Sequence, residues 1–200
     1  MLILTSMFLL RQQRFNSSTL LRSLAYSIAL SVRQAQVYGT SIRESSIGAF
    51  DSNTAAQAYG VYFAPATPGS YILFADNNNN GLYDGAGEAV QTFTLGTGYT
   101  IKTACLSYSG AAYCYSVCPT VTPFGLSTCF ANQQSNILVL FRRPNLDACI
   151  DGSSQGYCAP NKVQPFQGAY IELIGPTGGA DTRSITITNT GQITVGALGT

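Results

Sequence analysis

The stretch LRSLAYSIALSVRQAQVYGTSI, residues 21–42, decides the fold. Apolar or small residues recur in it at alternating spacings of four and three, which places them on one stripe of an α-helix. The stripe consists of Leu21, Ala25, Ile28, Val32, Ala35, Gly39 and Ile42. Because Ala25, Ala35 and Gly39 are small, a partner surface can approach this stripe closely. The stretch therefore predicts an amphipathic helix that packs against another layer of structure.

The predicted helix extends well beyond that stretch. Residues 1 to about 45 contain no proline, and their first glycine is Gly39, so we assign residues 1–47 to one N-terminal helix. At 1.5 Å per residue, about 40 residues would span roughly 60 Å, and part of the helix should protrude from a small domain. Two shorter helices, broken near residues 16–19, are the alternative. The apolar start, residues 1–10, is shorter than the ~20 residues that span a bilayer.

A small and polar linker at residues 48–57 is followed by a hydrophobic pattern of period two, which indicates β-strands. Residues 48–200 are therefore predicted to form a β-rich head domain. Strands are predicted at 59–64, 70–75, 88–95, 99–106, 136–142, 169–174, 184–188 and 192–195. Strands should pair across the turns at 65–69, 96–98 and 189–191. A helix followed only by strands predicts an α+β fold, with the helix packed on an antiparallel sheet or small β-sandwich.

The cysteines all lie in two insertions, near 105–135 and 143–166, that we expect to be loop-like. They are Cys105, Cys114, Cys118, Cys129, Cys149 and Cys158. An even, clustered set in a chain without histidine predicts disulfides formed in an oxidising compartment. The short spacing of Cys114 and Cys118 raises the alternative of zinc, but the other gaps are long and irregular for a zinc ribbon. The pairing stays open, with Cys149 and Cys158 favoured by proximity.

The composition narrows the function classes. Charged residues make up 10% of the chain and the net charge is +1, whereas a typical domain is about 25% charged. No global electric field therefore recruits nucleic acid or an acidic membrane. A surface that relies on serine, threonine, asparagine, glutamine and glycine suits a protein that packs against neighbours or lies outside the cell.

The sharpest local motif is DNNNNGLYD at residues 76–84, followed by Glu88. Oxygen-bearing side chains at positions 1, 3 and 5 and glycine at position 6 follow the first half of a calcium-binding loop. The predicted ligands of one structural Ca²⁺ are Asp76, Asn78, Asn80, the carbonyl of Leu82, Asp84 and Glu88. Glu88 stands one place beyond the usual bidentate position and the loop has only three carboxylates, so binding should be weak. The alternative is an asparagine-rich turn that binds nothing.

Enzymatic motifs are absent or accidental. GSSQG at residues 152–156 matches the spacing of a nucleophile elbow, but a chain without histidine cannot build a Ser-His-acid triad. No phosphate-binding or dinucleotide-binding fingerprint is present, and no carboxylate pair stands out. We therefore predict that the protein is not an enzyme.

Three arginines are candidates for contact with nucleic acid. Arg142, Arg143 and Arg183 could form a small basic patch that touches phosphates. The alternative is that they are solvated ends of strands.

Several segments resemble one known family. LAYSIALSVRQAQ at 24–36 looks like the upper part of a pilin helix, and YGVYF at 59–63 with YILFAD at 71–76 looks like the first strands of a pilin head. VLFRRPN at 139–145 and the closing strands at 185–195 are similar to its later strands. The chain thus resembles type IV pilin-like proteins, nearest to the minor pilins and pseudopilins of the type II secretion H-type and FimT-like group. The resemblance covers nearly the whole chain except the cysteine-rich insertions.

The resemblance implies a structural subunit of a type IV pilus or of a type II secretion-like extracellular filament. Its partners would be other pilin or pseudopilin subunits, bound through the N-terminal helix. The family's leader and methylation motif, a glycine followed by phenylalanine and glutamate, is not in the sequence. We therefore expect an inner-membrane anchor upstream of Met1 and location in the cell envelope, with membrane anchoring before assembly. The alternatives are a DNA-binding minor pilin for uptake and a secreted carbohydrate-binding module or adhesin.

Overall fold

The computed structural model describes residues 2–41, 58–116, 118–119, 123–126, 128–131, 136–152, 156–176 and 182–197, with the side chains of the helix described from Asn16 onward. The predicted linker at 48–57 and the last residue of the helical stripe, Ile42, lie outside these residues. So do the side chains of residues 1–15, on which the predicted protruding part of the helix depends.

One continuous helix, α1 (Leu2–Thr40), opens the structure, so the alternative of two shorter helices is wrong. The stripe predicted on it is fully buried at Leu21, Ala25, Ile28, Val32 and Ala35. Its solvent side carries arginine and serine together with several exposed apolar side chains. No helix in the described part of the chain combines the length and the apolar run that crossing a bilayer requires.

Eleven strands follow in the described residues. They are β1 (Ala58–Phe63), β2 (Ser70–Asp76), β3 (Ala89–Thr94), β4 (Thr100–Tyr108), β5 (Ala111–Cys114), β6 (Thr128–Phe130), β7 (Ile137–Phe141), β8 (Ala148–Asp151), β9 (Gly168–Ile174), β10 (Thr182–Thr188) and β11 (Ile193–Ala197). The first sheet has the order β3-β2-β1-β7-β8 and the second has the order β11-β10-β9-β4-β5-β6. All pairs are antiparallel except β5 with β6. The eight predicted strands all lie within two residues of their predicted bounds.

The helix packs on both sheets, against β1 and β7 of the first and against β10 and β11 of the second. One hydrophobic core unites the helical stripe with Val61 and Leu73 from the first sheet and Ile171 and Ile185 from the second. The predicted α+β class is therefore confirmed. The strand residues alternate as predicted in β7, where Ile137, Val139 and Phe141 face this common core and the residues between them face the other side.

Two parts of the predicted topology are wrong. The strands on either side of residues 96–98 do not pair, because β3 joins β2 in the first sheet while β4 joins β9 in the second. Gly96 and Gly98 both have positive φ, 90° and 83°, and this backbone lets the chain cross between sheets instead of forming a hairpin. The cysteine-rich insertions are not purely loop-like either, since they contain the short strands β5, β6 and β8.

Three disulfides staple these insertions, which confirms the prediction of disulfides. The pairs are Cys105–Cys114, Cys118–Cys129 and Cys149–Cys158, the last being the pair favoured by proximity. Cys105 and Cys114 lie directly opposite each other in the β4–β5 pair, with Cα atoms 4.0 Å apart. The bond thus holds a four-residue strand against the sheet.

Close approach of the helix to the first sheet depends on Gly39. A Cβ atom placed on Gly39 would lie 2.9 Å from the Cβ of Phe141, and closer still to the carbonyl oxygen of that residue. Polar contacts fix the same register: the Ser31 and Tyr71 hydroxyls lie 3.0 Å apart in the core, and Gln36 donates to the Leu146 carbonyl at 3.1 Å. The helix can therefore neither slide nor lift without losing buried contacts.

We predict that Gly39→Ala destabilises the protein. Alanine favours a helix over glycine by about 1 kcal/mol, but here its methyl group collides with the backbone of Phe141. Overpacking of this kind costs about 1–3 kcal/mol net, and we expect the Tm to fall by roughly 3–10 °C in thermal unfolding.

Gly87→Ala is the matched control. Nothing lies within 4 Å of a Cβ on Gly87, and its φ is not positive, so the Tm should hardly change. A Tm that rises in Gly39→Ala, as helix propensity alone would dictate, would contradict the close contact.

Candidate metal centre

The predicted calcium loop connects two neighbouring antiparallel strands of the first sheet. Asp76 is the last residue of β2, and Glu88 immediately precedes β3. Ala75 donates its N–H to the carbonyl of Glu88 at 2.9 Å, so the ends of the loop are held together by the sheet. Both ends of the predicted ligand set therefore lie at one edge of the strand pair.

Asp76 organises the interior of the loop. Its carboxylate is buried and accepts hydrogen bonds from the N–H groups of Asn80, at 3.0 Å, and Gly81, at 2.9 Å. Arg142, at the end of β7, forms an ion pair with the same carboxylate at 3.1 Å. Burial raises the pKa of Asp76 above its ordinary value, although the Gly81 N–H and the charge of Arg142 act in the opposite direction.

Asn78, Asn80 and Asp84 converge at the centre of the loop. The amide groups of Asn78 and Asn80 donate to the same oxygen of Asp84, Oδ2, at 2.6 and 2.7 Å. Their amide oxygens accept from backbone N–H groups two residues onward, Asn78 Oδ1 from Asn80 and Asn80 Oδ1 from Leu82. The structure thus brings together the side chains at positions 3, 5 and 9 of the predicted site.

Glu88 closes the loop from the other side. One carboxylate oxygen accepts from the N–H of Asn77 at 3.1 Å, and the other accepts from the N–H of Asp84 at 2.9 Å. Burial raises the pKa of Glu88 above its ordinary value; the N–H groups of Asp84 and Asn77 act in the opposite direction, and the nearby charges of Asp76 and Asp84 add to the rise. The loop therefore concentrates three carboxylates, and the field between them favours either a proton or a cation.

The donor set fits calcium only in part. All three carboxylates and both amide oxygens already accept hydrogen bonds, so the loop is closed by its own polar groups. A cation that takes Asp84 as a ligand has to displace two amide donors, and the charge of Asp76 is already offset by Arg142. This competition therefore allows only weak calcium binding, with an affinity in the range of extracellular calcium sites. The calcium site stays a prediction.

The sulfur atoms form a second cluster. In the described part of the chain, the one trio of acidic or cysteine side chains with ligand atoms within 4.8 Å of one another is Cys114, Cys118 and Cys129. Each of these sulfurs belongs to a disulfide. Since the thiolate is the form that binds metals, the oxidised cluster offers no zinc ligand.

A disulfide-stapled segment covers the loop. A Cβ on Gly81, whose φ is +75°, would collide with the backbone of Cys158 and Ala159, and a Cβ on Gly156 would lie 3.1 Å from the carbonyl oxygen of Asn80. Sequence analysis missed this cover and the ion pair of Asp76 with Arg142. Neither leaves a local signal, because the partners are remote in the chain.

The three candidate arginines do not form one patch. Arg142 pairs with buried Asp76, and Arg143 follows it in the turn after β7. Arg183 lies near the start of β10, whereas Asn189, just beyond the end of that strand, contacts Ala148 of the first sheet. At about 3.3 Å per residue, Arg183 is roughly 17 Å or more from that end of the strand.

Comparison with protein-family models gives no match, and comparisons with curated proteins and with solved structures give none either.

We predict a modest stabilisation by calcium. With a dissociation constant near 1 mM, 10 mM Ca²⁺ adds about 1.4 kcal/mol and raises the Tm by roughly 3–6 °C over EDTA-treated protein. Asp84→Asn should abolish the increase, because it removes the central charged ligand. Asp76 is less informative, because its replacement also leaves Arg142 without its partner.

Asp147→Asn is the control for this measurement. It removes an exposed carboxylate outside the loop and should leave the calcium response intact. Equal Tm values for the wild type in calcium and in EDTA would show that the loop is a turn closed by hydrogen bonds alone.

We also predict that Glu88 contributes stability to the metal-free protein as the pH falls below neutral. Glu88 has a raised pKa when folded and an ordinary value of 4.5, so the folded state takes up this proton first. The resulting stability is fully present below pH 4.5 and is lost as the pH rises through the folded pKa. In EDTA, lowering the pH from 7 to 5 should therefore raise the Tm of the wild type more, or lower it less, than it does for Glu88→Gln. Identical changes would contradict the raised pKa.

Proposed function

We propose that this chain is a structural subunit of a type IV pilin-like filament, a minor pilin or pseudopilin of the type II secretion H-type or FimT-like group. One observation carries the proposal: α1 is apolar on two opposite faces. One face is buried on the sheets of the head, and the other is exposed.

The exposed face is formed by Tyr26, Leu30 and Val37, which are 53%, 68% and 54% exposed. At about 100° per residue, these side chains lie roughly 160° around the helix from the buried stripe. They recur at spacings of four and seven, as on one side of a helix. Large apolar side chains aligned in this way cost free energy in water and are typical of an interaction surface.

A helix apolar on two opposite sides suits a position between two layers. The first layer is the head domain, which contacts α1 through β1, β7, β10 and β11. In the proposed filament, the second layer is the helices of neighbouring subunits, and the heads face outward. In this proposal the subunit is held in the cell envelope before assembly.

The head suits the exterior of a cell. Its three disulfides require an oxidising compartment to form and persist. A calcium ion at residues 76–88, if bound, would be structural and would tie down the loop. The proposed role is assembly and contact, and it involves no chemical turnover.

Site-specific photo-crosslinking in the producing cells tests this proposal. A photo-reactive residue at Leu30 should capture other pilin-like subunits, because this side chain lies at the centre of the exposed apolar face. Mass spectrometry of the cross-linked product identifies the partner.

Val163 is the matched control position, since it is an 86% exposed apolar residue of the head. It should give no cross-link to a helix of another subunit. Absence of any product at Leu30, or the same products at both positions, would sink the filament assignment.

A further inference from the structure

Two disulfides meet at the β6 edge of the second sheet. Cys105–Cys114 joins β4 to β5, and Cys118–Cys129 joins β6 to the segment that follows β5. Because β5 and β6 are parallel with Ala112 opposite Cys129, Cys114 projects from the same face of the sheet as Cys129. The Sγ atoms of Cys114 and Cys129 are only 3.4 Å apart, although each is bonded to another partner.

The two bonds differ in their access to solvent. Cys105 and Cys114 are fully buried, whereas Cys129 is half-buried and Cys118 is exposed. A thiol in solution therefore reaches this pair of disulfides at Cys118. Attack of its thiolate on the Cys118 sulfur breaks the exposed bond and releases the sulfur of Cys129 as a thiolate.

The released thiolate lies beside the buried bond. A separation of 3.4 Å is within the ~3–3.5 Å at which reacting atoms are held in near-attack conformations. Attack of Cys129 on Cys114 expels the sulfur of Cys105, which lies 3.8 Å from the buried hydroxyl of Thr103. This hydroxyl is a hydrogen-bond donor available to the sulfur of Cys105 as negative charge develops on it.

We propose that Cys118–Cys129 is a reactive disulfide, which takes up a small thiol and passes the exchange on to Cys105–Cys114. The external thiolate bonds to Cys118 as the exposed bond breaks, and Cys129 bonds to Cys114 as the buried bond breaks. The Cys105 thiolate takes up the proton that the external thiol lost. The numbers of S–S bonds and of thiols are unchanged, so the exchange consumes no oxidant or reductant.

The exchange moves a covalent link from one strand pair to another. Cys105 and Cys114 lie directly opposite each other, so the original bond holds β5 to β4. The new bond holds β5 to the edge strand β6 and leaves a buried thiol on β4, which packs as a small apolar side chain. This inference concerns the single chain and does not depend on filament assembly.

Reduced glutathione tests the exchange on the full oxidised chain. After incubation at mildly alkaline pH, free thiols are blocked with N-ethylmaleimide, and peptide mass spectrometry locates every bond. Among molecules that carry one glutathione, we expect about a tenth or more to have it on Cys118, with Cys105 alkylated and Cys114 joined to Cys129. Cys149–Cys158, which is outside the sulfur cluster, is the internal control and should stay intact in these molecules.

A Cys118→Ser variant tests the second step without an added thiol. It leaves Cys129 as a free thiol beside Cys114, and we expect about a tenth or more of the molecules to carry Cys114–Cys129 with Cys105 alkylated. The Tm of the variant reports its folding. Should it fail to fold, the glutathione experiment on the wild type decides the question.

Cys149→Ser is the matched control variant. It also leaves one free thiol, at Cys158, but in the first sheet and away from the sulfur cluster, so Cys105 should stay bonded to Cys114. Three results would overturn the proposal. Cys105 is never alkylated, Cys105 is freed as often in this control as in Cys118→Ser, or glutathione yields a bond from Cys114 to Cys118 in place of the expected one.

Discussion

The helix packs on both sheets and joins them in one core. Its stripe from Leu21 to Gly39 contacts β1 and β7 on one side and β10 and β11 on the other, so one core serves three layers of structure. Small side chains set the distance of this contact, because only glycine fits against the backbone of Phe141. This arrangement leaves the outer face of the first sheet, away from the helix, as the face on which Tyr83 of the asparagine-rich loop packs.

The elements with a periodic pattern of apolar residues could be predicted from the sequence. The helical stripe and eight strands have clear repeats of their own, and the structure contains the eight strands and the stripe as far as Gly39. Prediction failed for the elements whose structure depends on partners that are remote in the chain. β5 and β8 have only four residues each, too few to show a period, and they are stabilised by pairing and by disulfides. The change of sheet at Gly96 and Gly98 depends on which strand offers the better partner, which no local pattern specifies.

The candidate metal site was likewise predictable only where its residues are close in sequence. The spacing of oxygen-bearing residues predicted a tight loop, and Asn78, Asn80 and Asp84 do converge in it. The ion pair of Asp76 joins residues 66 positions apart, and the cover of Gly81 comes from another segment still farther along the chain.

The position of β10 and β11 against the first helix also has a consequence for biogenesis. The helix is synthesised before β10 and β11, the strands that help to bury it, and contacts such as Gln36 with Leu146 already bridge 110 residues. Topologies dominated by such long-range contacts fold slowly. Until β10 and β11 emerge, one side of the stripe has no cover, and the helix carries apolar surface on both of its faces.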